Sequence, residues 1–193
     1  MAAAGPPLLL ASSSPRRRDL LARLGLEPAR IANPDIDETP RPGELPRAYA
    51  LRMATEKAQA VARSEGEAVL AGDTTVAVGR RILGPAFDEK VQRQFLALLS
   101  GRRHHVLSAV AVIAPDGRLL TRLSDSIVQF KRLHPDEIDA YVASGEGLGK
   151  AGGYAIQGCA EALVQWMAGS HSGVIGLPLH ETRALLIASG YAL

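Results

Sequence analysis

The sequence predicts a mixed α/β protein, a twisted sheet with helices packed against it. Three observations lead there. Short apolar runs bounded by turn formers alternate with stretches of helical periodicity, hairpin-like pairs of apolar runs fill the middle of the chain, and no repeat or low-complexity linker interrupts the alternation. The chain has 193 residues, enough to bury a core without staples. Its 47% apolar and 22% charged residues exclude a disordered, collagen-like or coiled-coil chain. A single domain spanning 1–193 is the expectation.

The elements follow in order. Leu8 to Ala11 is a short apolar run that reads as a buried strand. Ser12 to Ser14 is a loop, and Ser14 before Pro15 marks a helix start, an N-cap hydroxyl followed by proline at the first helical position. Leu20, Leu21 and Leu24 form that helix's apolar face, and Gly25 stops it. Ala29 to Ala32 is a second strand, followed by a polar loop, Asn33 to Glu44, that carries Asp35, Asp37 and Glu38. Pro46 opens a long helix to about Ser64, with Ala50, Met53, Ala54, Ala58 and Val61 at helical spacing. Ala68 to Gly72 reads as a buried strand ending at Asp73, and Thr74 to Val78 with Ile82-Leu83 as a hairpin turning at 79–81. Asp88 caps a helix to Leu99, and Ser100 to His105 is a loop. Val106 to Ala114 and Arg118 to Lys131 are strands joined by Pro115-Asp116-Gly117. His134-Pro135-Asp136 starts a helix to about Ser144, and Gly145 to Gly158 holds six glycines in a loop shaped for close approach. Ala162 to Met167 reads as a strand, and Pro178 starts a last helix ending near Ser189.

Composition narrows the function classes. One cysteine, Cys159, excludes an internal disulfide framework and any CxxC metal site, and Cys159 and Trp166 read as core residues. A net charge of +2 is too small for a nucleic-acid polymer bound through bulk charge. The longest apolar start, Leu8 to Ala11, falls far short of the roughly 18 residues of a membrane span, and no charged segment of a secretory signal precedes it. A cytoplasmic protein with no membrane partner is expected. Four of the 22 basic residues are lysine, and the rest are arginine, whose forks suit phosphate and carboxylate. Genome composition produces the same bias.

Three places carry chemistry. The first is the strand–Ser12-Ser13-Ser14-Pro15-Arg16-Arg17–helix junction, where free backbone N–H groups, hydroxyls and guanidinium groups suit an anion. Arg16 precedes Leu20 by four residues, and Arg17 precedes Leu20 by three and Leu21 by four, so both lie toward the side the helix buries; plain capping with surface arginines is the alternative. The second is Lys57, on the apolar face set by Ala50, Met53 and Ala54, which is either a snorkelling lysine or a cation aimed at a buried anion. The third is Asp73, read at the carboxyl end of a strand, where α/β sheets gather ligands. Asp73 could act as a base or hold Mg²⁺, with Glu38 as a second carboxylate; a turn-forming Asp and a solvated Glu are the plain alternatives. Gly147-x-Gly149-x-x-Gly152 matches a dinucleotide fingerprint by letters only, since it follows a helix and lacks the acidic partner. The five histidines show no metal-ligand spacing.

Together these pieces resemble the Maf family of nucleoside triphosphate pyrophosphatases. The resemblance is carried in order by Leu10-Ala11-Ser12-Ser13-Ser14-Pro15-Arg16-Arg17, Asp37-Glu38, Glu56-Lys57-Ala58, Gly72-Asp73-Thr74, Ile82-Leu83-Gly84, Leu99-Ser100-Gly101-Arg102, Lys150-Ala151-Gly152-Gly153-Tyr154-Ala155-Ile156-Gln157-Gly158 and Gly176-Leu177-Pro178-Leu179. It implies a fold related to the inosine triphosphate pyrophosphatases, the Maf/Ham1 fold, with two lobes around a cleft. It also implies a divalent metal cation, Mg²⁺ or Mn²⁺, and hydrolysis of a nucleoside triphosphate to the monophosphate and pyrophosphate. The stretch from Lys150 to Gly158 is similar to the branch acting on dTTP and UTP. That branch's specificity positions fall on Arg16, Thr74 and Gln157, and its catalytic carboxylate on Asp73 with Lys57 beside it. Ser12, Ser14, Arg17 and Lys150 are further expected substrate contacts, and Asp73 and Glu38 the expected metal ligands. The resemblance alone raises a homodimer, and the family's name raises a second role, a nucleotide-binding regulator of septum formation.

The chemistry of the named residues agrees with a pyrimidine. Thymine and uracil present an N3–H donor beside carbonyl acceptors, and a glutamine amide answers that edge with one acceptor and one donor. A flipped amide answers cytosine equally well, so Gln157 discriminates only where neighbours fix it. The triphosphate would lie against Ser12 to Arg17, and attack at the α- or the β-phosphorus stays open. One departure stands out: the family carries a phosphate-contacting lysine where this chain has Pro85, and losing one such contact costs about 1.5–3 kcal/mol.

Overall fold

The computed structural model describes residues 5–193. Its centre is one seven-stranded sheet in the order β2-β1-β3-β5-β6-β7, with β4 paired to β3. The strands are β1 (Leu8–Ala11), β2 (Arg30–Ala32), β3 (Ala68–Val78), β4 (Arg81–Leu83), β5 (Arg103–Ile113), β6 (Leu119–Phe130) and β7 (Val164–Ala168). β1 runs parallel to β2 and β3, and the rest of the sheet is antiparallel. The helices are α1 (Pro15–Ala22), α2 (Pro46–Gln59), α3 (Glu89–Leu99), α4 (Pro135–Ala143), α5 (His171–Ile175) and α6 (Leu179–Ala188), with a 3-10 turn at Cys159–Leu163.

Two apolar layers hold the sheet. Ala50, Ala54 and Ala58 of α2 pack on Leu9, Ala11, Val69, Ala71, Leu107, Ala109 and Ala111. Small side chains on both sides let this helix lie close to the strands. The opposite face is larger, and joins Leu10, Leu70, Val110 and Val112 to Leu20 and Leu21 of α1, Leu96 and Leu99 of α3, and Leu185 and Leu186 of α6. Among the described residues, no helix is long and apolar enough to cross a membrane.

β3 corrects one expectation in a way that matters. It is one continuous strand from Ala68 to Val78, so Asp73 sits in its middle, not at its end. The sequence misleads because Asp73-Thr74-Thr75 looks like a turn. The polar run stays extended because β5 pairs along its whole length, with Asp73 opposite Ala109 and Thr75 opposite Leu107. On its other edge, β1 stops at Ala11 opposite Ala71, and β4 covers β3 only from Val76 onward, its last residue Leu83 lying opposite Val76. Residues 72–75 thus have strand neighbours on one side only, and that bare edge opens the cleft.

Smaller differences have similarly local causes. α2 ends at Gln59 rather than near Ser64. β5 begins at Arg103, because a polar Arg-His-His start pairs with Gln129, Val128 and Ile127. The segment read as a strand from Ala162 splits into the 3-10 turn and β7. Helix α5 is too short, at five residues, to show periodicity. Cys159 is exposed and Trp166 is 40% exposed, the latter stacked under the Arg103 guanidinium at 4.6 Å, so neither belongs to the core.

Candidate functional site

Alternation along β3 sends Asp73 and Thr75 to the α2 face, and Gly72 and Thr74 to the other. On the α2 face, Lys57 is 7% exposed and Asp73 5%. Lys57 Nζ donates to Asp73 Oδ1 at 2.8 Å and to Glu38 Oε2 at 2.9 Å. The Thr75 hydroxyl donates to the other Asp73 oxygen, Oδ2, at 2.9 Å. A carboxylate this deep needs such partners, because an unpaired buried charge is costly. The sequence reading of Lys57 as a cation aimed at a buried anion is what the packing shows.

Glu38 arrives from the polar loop, which side chains of α2 strap down. The Tyr49 hydroxyl donates to the Glu38 carbonyl at 2.8 Å, and Arg52 Nη2 to the Thr39 carbonyl at 3.2 Å. Arg52 also forks onto Glu44, with Nε and Nη2 at 2.7 and 2.6 Å, and reaches Glu56 at 3.2 Å. The Arg52 fork holds the Glu44 carboxyl down at about 2. Burial raises the Tyr49 phenol, so it stays a donor. Neither Tyr49 nor Arg52 stood out in the sequence. The available signal was Glu44, Arg52 and Glu56 at spacings of eight and four, on the edge of a helix next to an acidic loop.

On the other face, Arg17 Nε donates to the Gly176 carbonyl at 2.9 Å and Nη1 to Ser12 Oγ at 3.0 Å. Thr74 Oγ1 donates to the same Gly176 carbonyl at 3.4 Å. Gly72 leaves room for this: a Cβ there would stand 3.4 Å from Arg17 Nε and 3.3 Å from the Ala109 carbonyl. Burial pushes the Arg17 guanidinium below its usual value, with the Asp73 carboxylate pulling the other way, and burial lowers Arg16 also. Ser14 is the N-cap residue of α1, but its hydroxyl caps nothing; instead its backbone N–H donates to Ser12 Oγ at 3.2 Å. The cleft thus holds two adjoining spaces. One is lined by Ser12, Ser13 and Asn33, and the other by Asp73, Thr74, Tyr154 and Gln157. Ser14, Arg16, Arg17, Lys57 and Glu38 border both.

The far wall is the glycine-rich loop. Tyr154 meets His104 Nε2 at 2.8 Å, the Ala155 N–H donates to the Tyr141 hydroxyl at 3.0 Å, and Gln92 Nε2 donates to the Gly153 carbonyl at 3.1 Å. Burial pushes His104 down to about 4, so it is neutral near pH 7. Gln157 lines the cleft but is exposed, and among the described residues no side chain holds its amide. Lys150 lines the cleft beside Pro85, because Pro85 bridges Ala151 and Ala86 bonds the Lys150 carbonyl at 3.2 Å. Its ammonium donates to the Glu146 carbonyl, and burial and Arg16 lower its pKa. Lys90, near Pro85 in sequence, lies exposed on α3.

The expected Mg²⁺ or Mn²⁺ can be tested against this donor set. No cluster of three or more His, Cys, Asp or Glu gathers among the described residues. Mg²⁺ needs only one or two carboxylates, completing its shell with water and phosphate oxygens. Asp73 Oδ1 and Glu38 Oε2 already converge on one cationic atom, Lys57 Nζ. Two hard oxygen donors within reach of one point fit such an ion.

A mixed sheet whose bare central edge carries a buried carboxylate, flanked by arginines at a helix N-terminus, defines an α/β protein with a cation-rich cleft. Comparison with known proteins is more specific. The Maf family, described as Maf-like protein, matches residues 7–189. A dTTP/UTP pyrophosphatase of Sphingopyxis alaskensis is 65% identical over 97% of this chain and 99% of that protein. One of Novosphingobium aromaticivorans is 61% identical over 97% of this chain and 94% of its own length. The structure of a HAM1 protein from Coxiella burnetii covers 94% of this chain and 98% of that one at 18% identity, with a TM-score of 0.50, which shows the fold. The chain belongs to the Maf family.

Proposed function

We propose that this chain is a dTTP/UTP pyrophosphatase, hydrolysing these triphosphates to the monophosphate and pyrophosphate with a divalent metal ion. The observation that carries the reading is the Lys57 ammonium drawing Asp73 and Glu38 together beside Arg17 at the cleft floor. The names of the high-identity relatives support the substrate class and favour an enzyme over a septum regulator.

The triphosphate lies along the Ser12–Arg17 junction, where backbone N–H groups and the guanidinium forks bind its oxygens. A water oxygen attacks the α-phosphorus; the bond to the bridging oxygen breaks, and pyrophosphate leaves with that electron pair. The water's proton passes to Asp73 Oδ2, the oxygen oriented by Thr75. A divalent ion held by Asp73 Oδ1 and Glu38 would supply charge neutralisation at the phosphoryl oxygens. Arg16 and Arg17 offset the charge gathering on the leaving group. Thr74 and Gln157 face the base. The Thr74 hydroxyl, 3.4 Å from the Gly176 carbonyl, offers the base edge one donor and acceptor group beside the Gln157 amide. Lys150 supplies the cation beside Pro85.

Turnover in ¹⁸O-labelled water tests the scheme. The expected result is pyrophosphate release from dTTP and UTP with the label in the monophosphate. Label in pyrophosphate, or release of inorganic phosphate, overturns it.

A further inference from the structure

Lys57 does more than sit near two acids. Its single Nζ bonds both carboxylates, at 2.8 and 2.9 Å, and is buried with Asp73. Any divalent ion binding Asp73 Oδ1 and Glu38 Oε2 must take the same oxygens. We propose that Lys57 serves as a resident cation for the Glu38–Asp73 pair, so that a divalent ion enters the cleft together with a polyphosphate and not ahead of it. This rests on the reading of the cleft as a triphosphate site.

Three physical arguments carry it. The first is competition. Displacing the ammonium from two oxygens without offering it new acceptors leaves a buried charge unpaired, which is expensive. Phosphate oxygens are such acceptors, and a lysine on a flexible four-carbon stem with three donors can exchange one set of oxygens for another. The second is net charge. Four cations line the cleft, Arg16, Arg17, Lys57 and Lys150, against two carboxylates, Glu38 and Asp73. A lone divalent cation meets a cleft of excess positive charge. A triphosphate brings about four negative charges, and its complex with a divalent ion retains about two, which the cleft matches. The third is restraint. Tyr49 and Arg52 hold the Glu38 and Thr39 carbonyls, so the loop keeps the Glu38 carboxylate within reach of Lys57 while its half-exposed side chain turns. The consequence is positive coupling: ion and polyphosphate each raise the other's affinity by the same factor.

Mn²⁺ binding, followed by the electron paramagnetic resonance of the free ion, tests this without turnover. The full chain is titrated alone, and the α,β-methylene analogue of dTTP is titrated by calorimetry with and without Mn²⁺. Mn²⁺ is expected to bind the protein alone weakly, and the analogue to bind at least about tenfold tighter when Mn²⁺ is present. Lys57→Gln alone should gain at least about tenfold in Mn²⁺ affinity, while Lys57→Arg, which keeps the charge, should not. Glu38→Gln should lose most of the coupling. If the wild-type protein alone binds Mn²⁺ as tightly as Lys57→Gln does, or if the analogue's affinity is indifferent to Mn²⁺, the inference is overturned and the triphosphate reading survives. Should Lys57→Gln fail to fold, the wild-type coupling decides by the same criterion. If the analogue does not bind at all, both fall.

Discussion

The two faces of β3 between Gly72 and Thr75 are built from different materials. The α2 face is ionic: Asp73, Lys57 and Glu38 meet within hydrogen-bond distance, and Arg52, Glu44 and Glu56 hold the loop above them. The opposite face and the glycine-rich wall are held mainly by backbone carbonyls and neutral groups. Gly176 receives Arg17 and Thr74, Tyr154 meets a neutral His104, and Gly153 receives Gln92. On the α2 face the buried charges are paired with one another; on the other face the buried Arg17 guanidinium is met by a carbonyl and a hydroxyl. On the proposed reading both faces border the polyphosphate, and the neutral bonds of the glycine-rich wall fix the shape of the base pocket without drawing in counter-ions.

That contrast can be broken at either end. The largest effect belongs to the ionic face. Asp73→Asn removes the proposed proton acceptor, and turnover should fall about 10²–10⁴-fold with the circular dichroism spectrum unchanged. Next comes the neutral wall under acid. His104 titrates near 4 when folded and near 6.5 as a free side chain. The unfolded chain therefore binds the proton first, and stability is lost as pH falls from about 6.5 to 4, by about 3 kcal/mol in all. Melting temperatures across that range should drop, and His104→Gln, which can still meet Tyr154, should flatten the drop. A third effect is steric. A Cβ on Gly147 would overlap the Gly153 carbonyl and crowd the Gln92 amide. Gly147→Ala should cost about 2 kcal/mol, read by urea denaturation. The smallest is at the base. Gln157→Ala should lower kcat/KM for dTTP and UTP about tenfold, the value of one or two hydrogen bonds, and leave stability alone.

Much of this was legible in the chain. Apolar runs marked β1, β2 and the buried halves of β5 and β6, and capping residues marked α3 and α4, where Asp88 Oδ1 accepts the Val91 N–H at 2.7 Å and His134 with Glu137 forms a capping box. Lys57 was half legible: on a stripe of alanines and Met53 it read as either a snorkelling lysine or a cation aimed at a buried anion, and the packing supplies Asp73 as that anion. What escaped is what depends on distant partners. Asp73-Thr74-Thr75 stays in a strand because β5 pairs with it and Lys57 neutralises it, neither of which a local window contains. Gly176 entered the sequence reading only as part of Gly176-Leu177-Pro178-Leu179, and its carbonyl's position, 159 residues from Arg17, is what gives it a part in the cleft. Tyr49 and Arg52 of α2 did not stand out in the sequence. Their partners lie eight to thirteen residues earlier in an irregular loop, where no periodicity predicts a meeting.

The most direct measurement is a panel of nucleoside triphosphates with Mg²⁺ or Mn²⁺, analysed for monophosphate, pyrophosphate and inorganic phosphate, for the wild-type chain and Asp73→Asn side by side. Equal amounts of monophosphate and pyrophosphate from dTTP and UTP, little from purine triphosphates, and near silence from the variant would be the expected outcome. Unselective phosphate release, or a variant that keeps most of the wild-type rate, would contradict the account.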